Sequence, residues 1–144
     1  MVGPAFGTNV GQDFTFLANT DMTGNQFKFV QLASTGYLVV CAAGQVAIGI
    51  AQDAPVGTSG TPIASQVRTA GTSKVLCGGT FNAGDLLSSD SSGRAVKYTG
   101  ATVFTGTPYT VSGTQVLGIA LEPGASTAIV AMLFEPMGLV AAGD

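Results

Sequence analysis

Along this chain short apolar runs alternate with glycine-bearing polar clusters, a rhythm that predicts many short strands joined by tight turns. From Gly24 onward the pattern is regular. QFKFVQL sets Phe27, Phe29 and Gln31 against Lys28, Val30 and Leu32, which predicts a strand with one aromatic and one mixed face. STG turns the chain, YLVVCA continues it, AAGQ turns it again, and VAIGIAQ forms the next strand. DAPVGTSG, from Asp53 to Gly60, is a loop. IASQV and SKVLCGG follow as two strands joined through RTAG. In TFNAGDLLSSDSSGRAVKYTG, Gly84 and Asp85 make a turn, Leu86 and Leu87 begin a strand, SDSSG turns at Gly93, and RAVKY pairs back as a hairpin. Residues Gly100 to Gly113 are threonine-rich and form a protruding loop or hairpin. The chain closes with TQVLGIALEPG and STAIVAMLFEPMGLV, whose run Ala128 to Phe134 has the near-continuous apolar character of a central core strand.

The expected fold class is mainly β: a small barrel or sandwich of short antiparallel strands. Residues 1–23 read as an extended N-terminal arm, and 24–144 as a compact β domain with a threonine-rich insertion near 100–113. The arm carries FTFLA, whose Phe14 and Phe16 are expected to dock, and in an assembly such an arm adds a strand to a neighbour.

The sequence also echoes itself. QVAIGIAQD (Gln45 to Asp53) and QVLGIALE (Gln115 to Glu122) match when one residue of the first is skipped, and in each Gly-Ile-Ala leads to an acidic residue with Pro55 or Pro123 behind it. Gly49 and Gly118 suit a close crossing or a bulge, and a bulge accommodates the extra Ala47. Upstream, MTGNQFKFVQLASTGYLVV and NAGDLLSSDSSGRAVKY share the order glycine, strand, Ser-containing turn ending in glycine, strand. Two related halves around one core follow, the second carrying the longer insertion. Coincidence among glycine-rich strands is the alternative.

Composition narrows the function. The chain has 144 residues, enough for one domain with a real core, and 46% of them are hydrophobic. Only 9% are charged, against roughly 25% in an average soluble domain, so either something other than charge keeps the surface soluble or much of it is covered. No apolar run is long enough to span a bilayer, and the N-terminal residues lack the basic start and apolar core of a secretory signal. A net charge of −3 with scattered Lys and Arg disfavours direct nucleic-acid binding. Cys41 and Cys77 read as buried thiols or as one bridge.

Candidate chemistry is sparse. There is no histidine, which removes the commonest proton carrier and metal ligand. Asp53, Asp85, Asp90 and Glu122 each lie beside a turn, where a carboxylate satisfies local backbone donors. SSDSSG, Ser88 to Gly93, has too few hard ligands for calcium. GGTFNAGD lacks a phosphate-loop lysine and precedes a strand. No catalytic, cofactor or metal residues are assigned, and the expected class is a non-enzymatic structural protein.

Gly84 and Asp85 opening a strand, Gly93 before RAV, Gly118, Ala120 and Glu122 in GIALE, and the closing IVAMLF together resemble a family of small tailed-phage head decoration or cement proteins. TGYLVVCAAGQVAIGIAQDAPVGTSG fits the first half of that pattern, so the resemblance spans roughly Gly24 to Phe134. It implies a compact β protein, assembled in the host cytoplasm, that sits on the outer surface of a phage head and clamps neighbouring major capsid subunits. It further implies a homo-oligomer, with a trimer favoured, and no direct nucleic-acid or membrane partner. Phe6, Phe14, Phe16, Phe104 and Tyr109 are the candidate capsid or subunit contacts; Gly49, Gly84, Gly93 and Gly118 are turn and packing glycines. The alternatives are a tail or baseplate component, and a β-barrel carbohydrate- or peptide-binding module using Phe104 and Tyr109.

Overall fold

The structure, a computed structural model, describes residues 12–104 and 110–138, with the backbone alone for 101–104 and 110–113. Every described element is a strand: β1 (Gln12–Ala18), β2 (Phe29–Leu32), β3 (Leu38–Val40), β4 (Gly49–Ala51), β5 (Ile63–Leu76), β6 (Leu86–Ser89), β7 (Ala95–Lys97), β8 (Ala101–Phe104), β9 (Thr110–Gly113), β10 (Val116–Ala120) and β11 (Ile129–Gly138). Nine of them form one sheet in the order β1-β3-β2-β4-β5-β11-β10-β6-β7, and β8 and β9 form a separate hairpin. The mainly-β class expected from the pattern is the class observed.

The sheet closes, which makes it a barrel and not a sandwich. β1 pairs in parallel with β3 at Ala18 and Leu38, and antiparallel with the first half of β5 from Gln12–Ala70 to Ala18–Ile63. Strands β1, β3, β2, β4 and β5 therefore make a five-membered ring. A ring this small has room only for its own side chains. Ala18, Met22, Val30, Leu38, Ala51 and Val67 fill it, with Phe16, Ile48 and Ile63 packed against them.

The same circuit recurs in the second half. The far half of β5 pairs with β11 from Leu76–Ile129 to Gly71–Phe134, β11 with β10, β10 with β6, and β6 with β7. A parallel bridge from Cys77 to Ala95 returns to the start, repeating the bridge from Ala18 to Leu38. The registers agree residue by residue. Val30 opposite Gly49 matches Leu87 opposite Gly118, and Ile50 opposite Arg68 matches Ile119 opposite Leu133. Loop bonds agree too: Phe27 N–H donates to Ala51 O at 2.8 Å where Gly84 N–H donates to Ala120 O at 2.7 Å. The first barrel's interior residues thus have Cys77, Phe81, Leu87, Ala95, Ala120 and Met132 as counterparts, all buried in the second core. The echo in the sequence is a duplication of a complete five-stranded barrel, with β5 belonging to both copies.

Gly49 and Gly118 show why the echo contains glycine. A Cβ at Gly49 would meet Arg68 O, and one at Gly118 would meet Leu133 O, each on the neighbouring strand. Within the two echoed strands the register irregularity falls in the second copy, between Val116 and Gly118. Ala47, expected to mark a bulge in the first copy, lies just before β4 and is buried at the contact between barrels.

Two further sequence expectations change. RTAG does not separate two strands; β5 runs unbroken for 14 residues through it, because Gly71 with φ 89° lets one strand leave the first ring and enter the second. QFKFVQL is strand only from Phe29, since Phe27 sits at φ 62°, where its counterpart Gly84 sits at 87°. The face expected to be mixed, carrying Val30, is the barrel interior, while Phe29 points outward and is covered by the second barrel.

Candidate assembly surfaces

The barrels meet along a junction built from the outer face of β2 and β4. Phe29, Cys41, Ala47 and Ile50 are buried with the second core, and the Phe29 ring lies 6.2 Å from that of Phe134, tilted by 38°. Backbone bonds stitch it: Phe29 N–H donates to Gly93 O (2.7 Å), Gly44 N–H to Ser89 O (2.9 Å) and Leu76 N–H to Phe27 O (2.8 Å). The Gln52 side-chain amide donates to Ser73 Oγ at 2.9 Å. The side of the second barrel that receives these groups is one rim, comprising Ser73, Val75, Ser89 and Gly93, all buried.

The corresponding rim of the first barrel is Phe14, Phe16, Leu32 and Gly36, and none of its own chain's described residues plays the covering role there. β1 runs parallel to β3 with Ala18 beside Leu38, so Phe16, two residues earlier, reaches the level of the Ala33–Gly36 turn and Phe14 extends past it. Phe14 and Leu32 are 52% and 41% exposed, where their counterparts Ser73 and Ser89 are 3% and 2% exposed. A Cβ at Gly36 would meet nothing within 4 Å, whereas one at Gly93 would strike Val40 and the Phe29 carbonyl. Thus the covered rim carries serines, Ser73 and Ser89, where the open rim carries Phe14 and Leu32.

The second barrel likewise repeats the face that the first uses for docking. Leu86 and Ile119 stand where Phe29 and Ile50 stand, and Leu121, 47% exposed, where Gln52 stands. Leu86, Ile119 and Leu133 form a row across β6, β10 and β11, all partly exposed.

The carboxylates are held by local partners. Asp53 accepts from Ser65 Oγ (2.7 Å) and Gln66 N–H (3.1 Å), and its counterpart Glu122 accepts from Ala131 N–H (2.8 Å). Asp90 accepts from Ser92 N–H and Arg94 N–H at 2.8 Å each and pairs with the Arg94 guanidinium. The Asn82 backbone N–H holds the Asp85 carboxyl below its ordinary range, with a smaller contribution from Lys97. Arg68 does the same for Asp13 through a bidentate pair at 2.7 and 2.9 Å. Burial pushes both thiols up; Cys41 and Cys77 are free and buried, one at the junction and one inside the second barrel. No group of three or more His, Cys, Asp or Glu side chains placed to hold a metal occurs among the described residues.

Of the candidate contact residues, Phe14 is exposed and Phe16 half-buried on one rim, and Phe104 ends β8. Phe6 and Tyr109 lie outside the described residues. Residues 12–18 of the expected arm form β1 and pair within their own chain. Sequence reasoning missed Leu32, Leu86, Ile119 and Leu121. One signal was available: aligning the two echoes sets Gln52 against Leu121, a polar residue in one copy and an apolar one in the other.

No family model matches the sequence, and no curated protein matches it. Among solved structures the chain is similar to the head fiber gp8.5 N base of bacteriophage phi29, with a TM-score of 0.58 and 13% identity over 91% of this chain and 100% of that one. The two share a fold.

Proposed function

We propose that this chain is a non-enzymatic structural protein of a tailed-phage virion, bound to the outer surface of the head. It clamps neighbouring major capsid subunits as a homo-oligomer, with a trimer the favoured form, and assembles in the host cytoplasm. The observation that carries this reading is the fold shared over nearly the whole chain with the base of a phage head fiber. That neighbour favours the head over a tail or baseplate position. Low charge and an open apolar rim support a protein that works through interfaces, since large solvent-exposed apolar patches mark association sites. Clamping then gains from multivalency, because subunits held on a lattice bind at high effective concentration.

The test is electron cryomicroscopy of intact particles, paired with cosedimentation of purified protein with heads that lack it. Symmetric clusters of density on the head exterior, and protein pelleting only with assembled heads, are expected. A bare head, or protein that stays in the supernatant, refutes the proposal.

A further inference from the structure

We propose that the junction joining the two barrels within a chain is used again between chains, the open rim of one copy's first barrel receiving the outer face of another copy's second barrel. The inference rests on the homo-oligomer part of the function above and names the surfaces that part requires.

The duplication supplies both surfaces. Within the chain, the face holding Phe29 and Gln52 sits on the rim holding Ser73 and Gly93. Each of these two surfaces has a counterpart elsewhere in the chain, and among the described residues both counterparts are open. Repeating the geometry brings Leu121 over Phe14, as Gln52 lies over Ser73. It also aims the Leu86 N–H at Gly36 O, as the Phe29 N–H is aimed at Gly93 O, and the Leu17 N–H at Gly84 O, as the Leu76 N–H is aimed at Phe27 O.

The chemistry of the counterparts has changed in a matched way. A part-buried polar pair inside the chain, Gln52 with Ser73, is replaced by an exposed apolar pair, Leu121 at 47% and Phe14 at 52%. Leu17, at 50%, is on the opposite face of β1 from Phe14, with its backbone on the open edge, as Leu76 is at the intrachain junction. Apolar residues kept on two separate surfaces, at positions that pair when the internal junction is repeated, fit a second copy of this chain as occupant. Such a contact joins unlike surfaces, so copies link head to tail and close into a ring or extend as a stack.

Phe14→Asp and Leu121→Asp test this, because both side chains are exposed and neither substitution disturbs a core. Sedimentation velocity of the full chain is expected to show a wild-type oligomer at about 100 μM, and each variant alone is expected to weaken association roughly 100-fold or more. Mixing the two variants leaves one intact pairing, Leu121 of the first with Phe14 of the second. The mixture is therefore expected to form one-to-one dimers. Circular dichroism and thermal melting of each variant should match wild type. A monomeric wild type at that concentration, variants that still associate, or a mixture that stays monomeric would each overturn the proposal. Head binding is read separately by cosedimentation, so a wild type that binds heads yet does not self-associate sinks this inference and not the capsid association.

Discussion

Gly118→Ala is the sharpest probe of the duplicated barrel. The added methyl would point at Leu133 O and the Met132 side chain, well inside the 3.0 Å that real Cβ atoms keep. β10 is hydrogen-bonded on both sides, to β11 and to β6, and the ring is closed, so the strand has no free direction in which to retreat. Parting the strands by on the order of 1 Å weakens ladder bonds and strains the core, an overpacking cost of about 3 kcal/mol. Removing a glycine from the unfolded chain returns roughly 0.5 kcal/mol. The net expectation is a loss of about 2.5 kcal/mol. With an m-value of about 1.5 kcal/mol/M in urea, the midpoint should fall by roughly 1.7 M, followed by far-UV circular dichroism because the chain has no tryptophan. Gly49→Ala, whose methyl meets Arg68 O, should behave alike. Gly79→Ala is the control: its nearest neighbour is the Val96 methyl at 3.7 Å, and its stability should be unchanged or slightly raised. A Gly118→Ala protein within about 1 kcal/mol of wild type would refute the close-crossing argument.

Two other outcomes follow from the packing and the charges. Phe29→Ala should cost about 3–5 kcal/mol, and a double-mutant cycle with Phe134→Ala should show a coupling of about 1 kcal/mol in urea titrations; additive losses would place the barrels out of contact. Asp13, Asp21 and Asp85 are held below their ordinary value of 3.8, so the stability they confer is present above that pH and lost as pH falls beneath it. Both thiols are pushed above their ordinary 9.0, so the unfolded chain ionises first and stability falls as pH rises past 9.0. With no histidine, urea midpoints should form a plateau between these limits, and a step near pH 6.5 would contradict the assignment.

Local pattern determined much of this protein. Glycine-punctuated apolar runs dictated short strands, because turns with positive φ at positions such as Gly84 and Gly93 leave little else available. The echo of GIAQD and GIALE pointed to two copies, and the structure gives the reason: both need a glycine where strands cross and an acidic residue to cap the next strand's N–H. The turn-side positions of Asp53, Asp85, Asp90 and Glu122 were legible for the same reason: their bonds are local.

What periodicity could not carry was long-range. An isolated strand pattern states which side chains share a face but not which partner covers it, so barrel and sandwich stayed equivalent until β1 was seen to pair with both β3 and β5. RTAG reads as a break, yet β5 passes through it because each half is held by a different ring. The candidate assembly surfaces were hidden in the same way. Leu32 and Ser89 are each the last residue of a strand before a turn, and nothing near either tells that one rim is covered by the neighbouring barrel and the other is open. Burial is a property of what packs against a residue, and that was decided only when the two copies were set one upon the other.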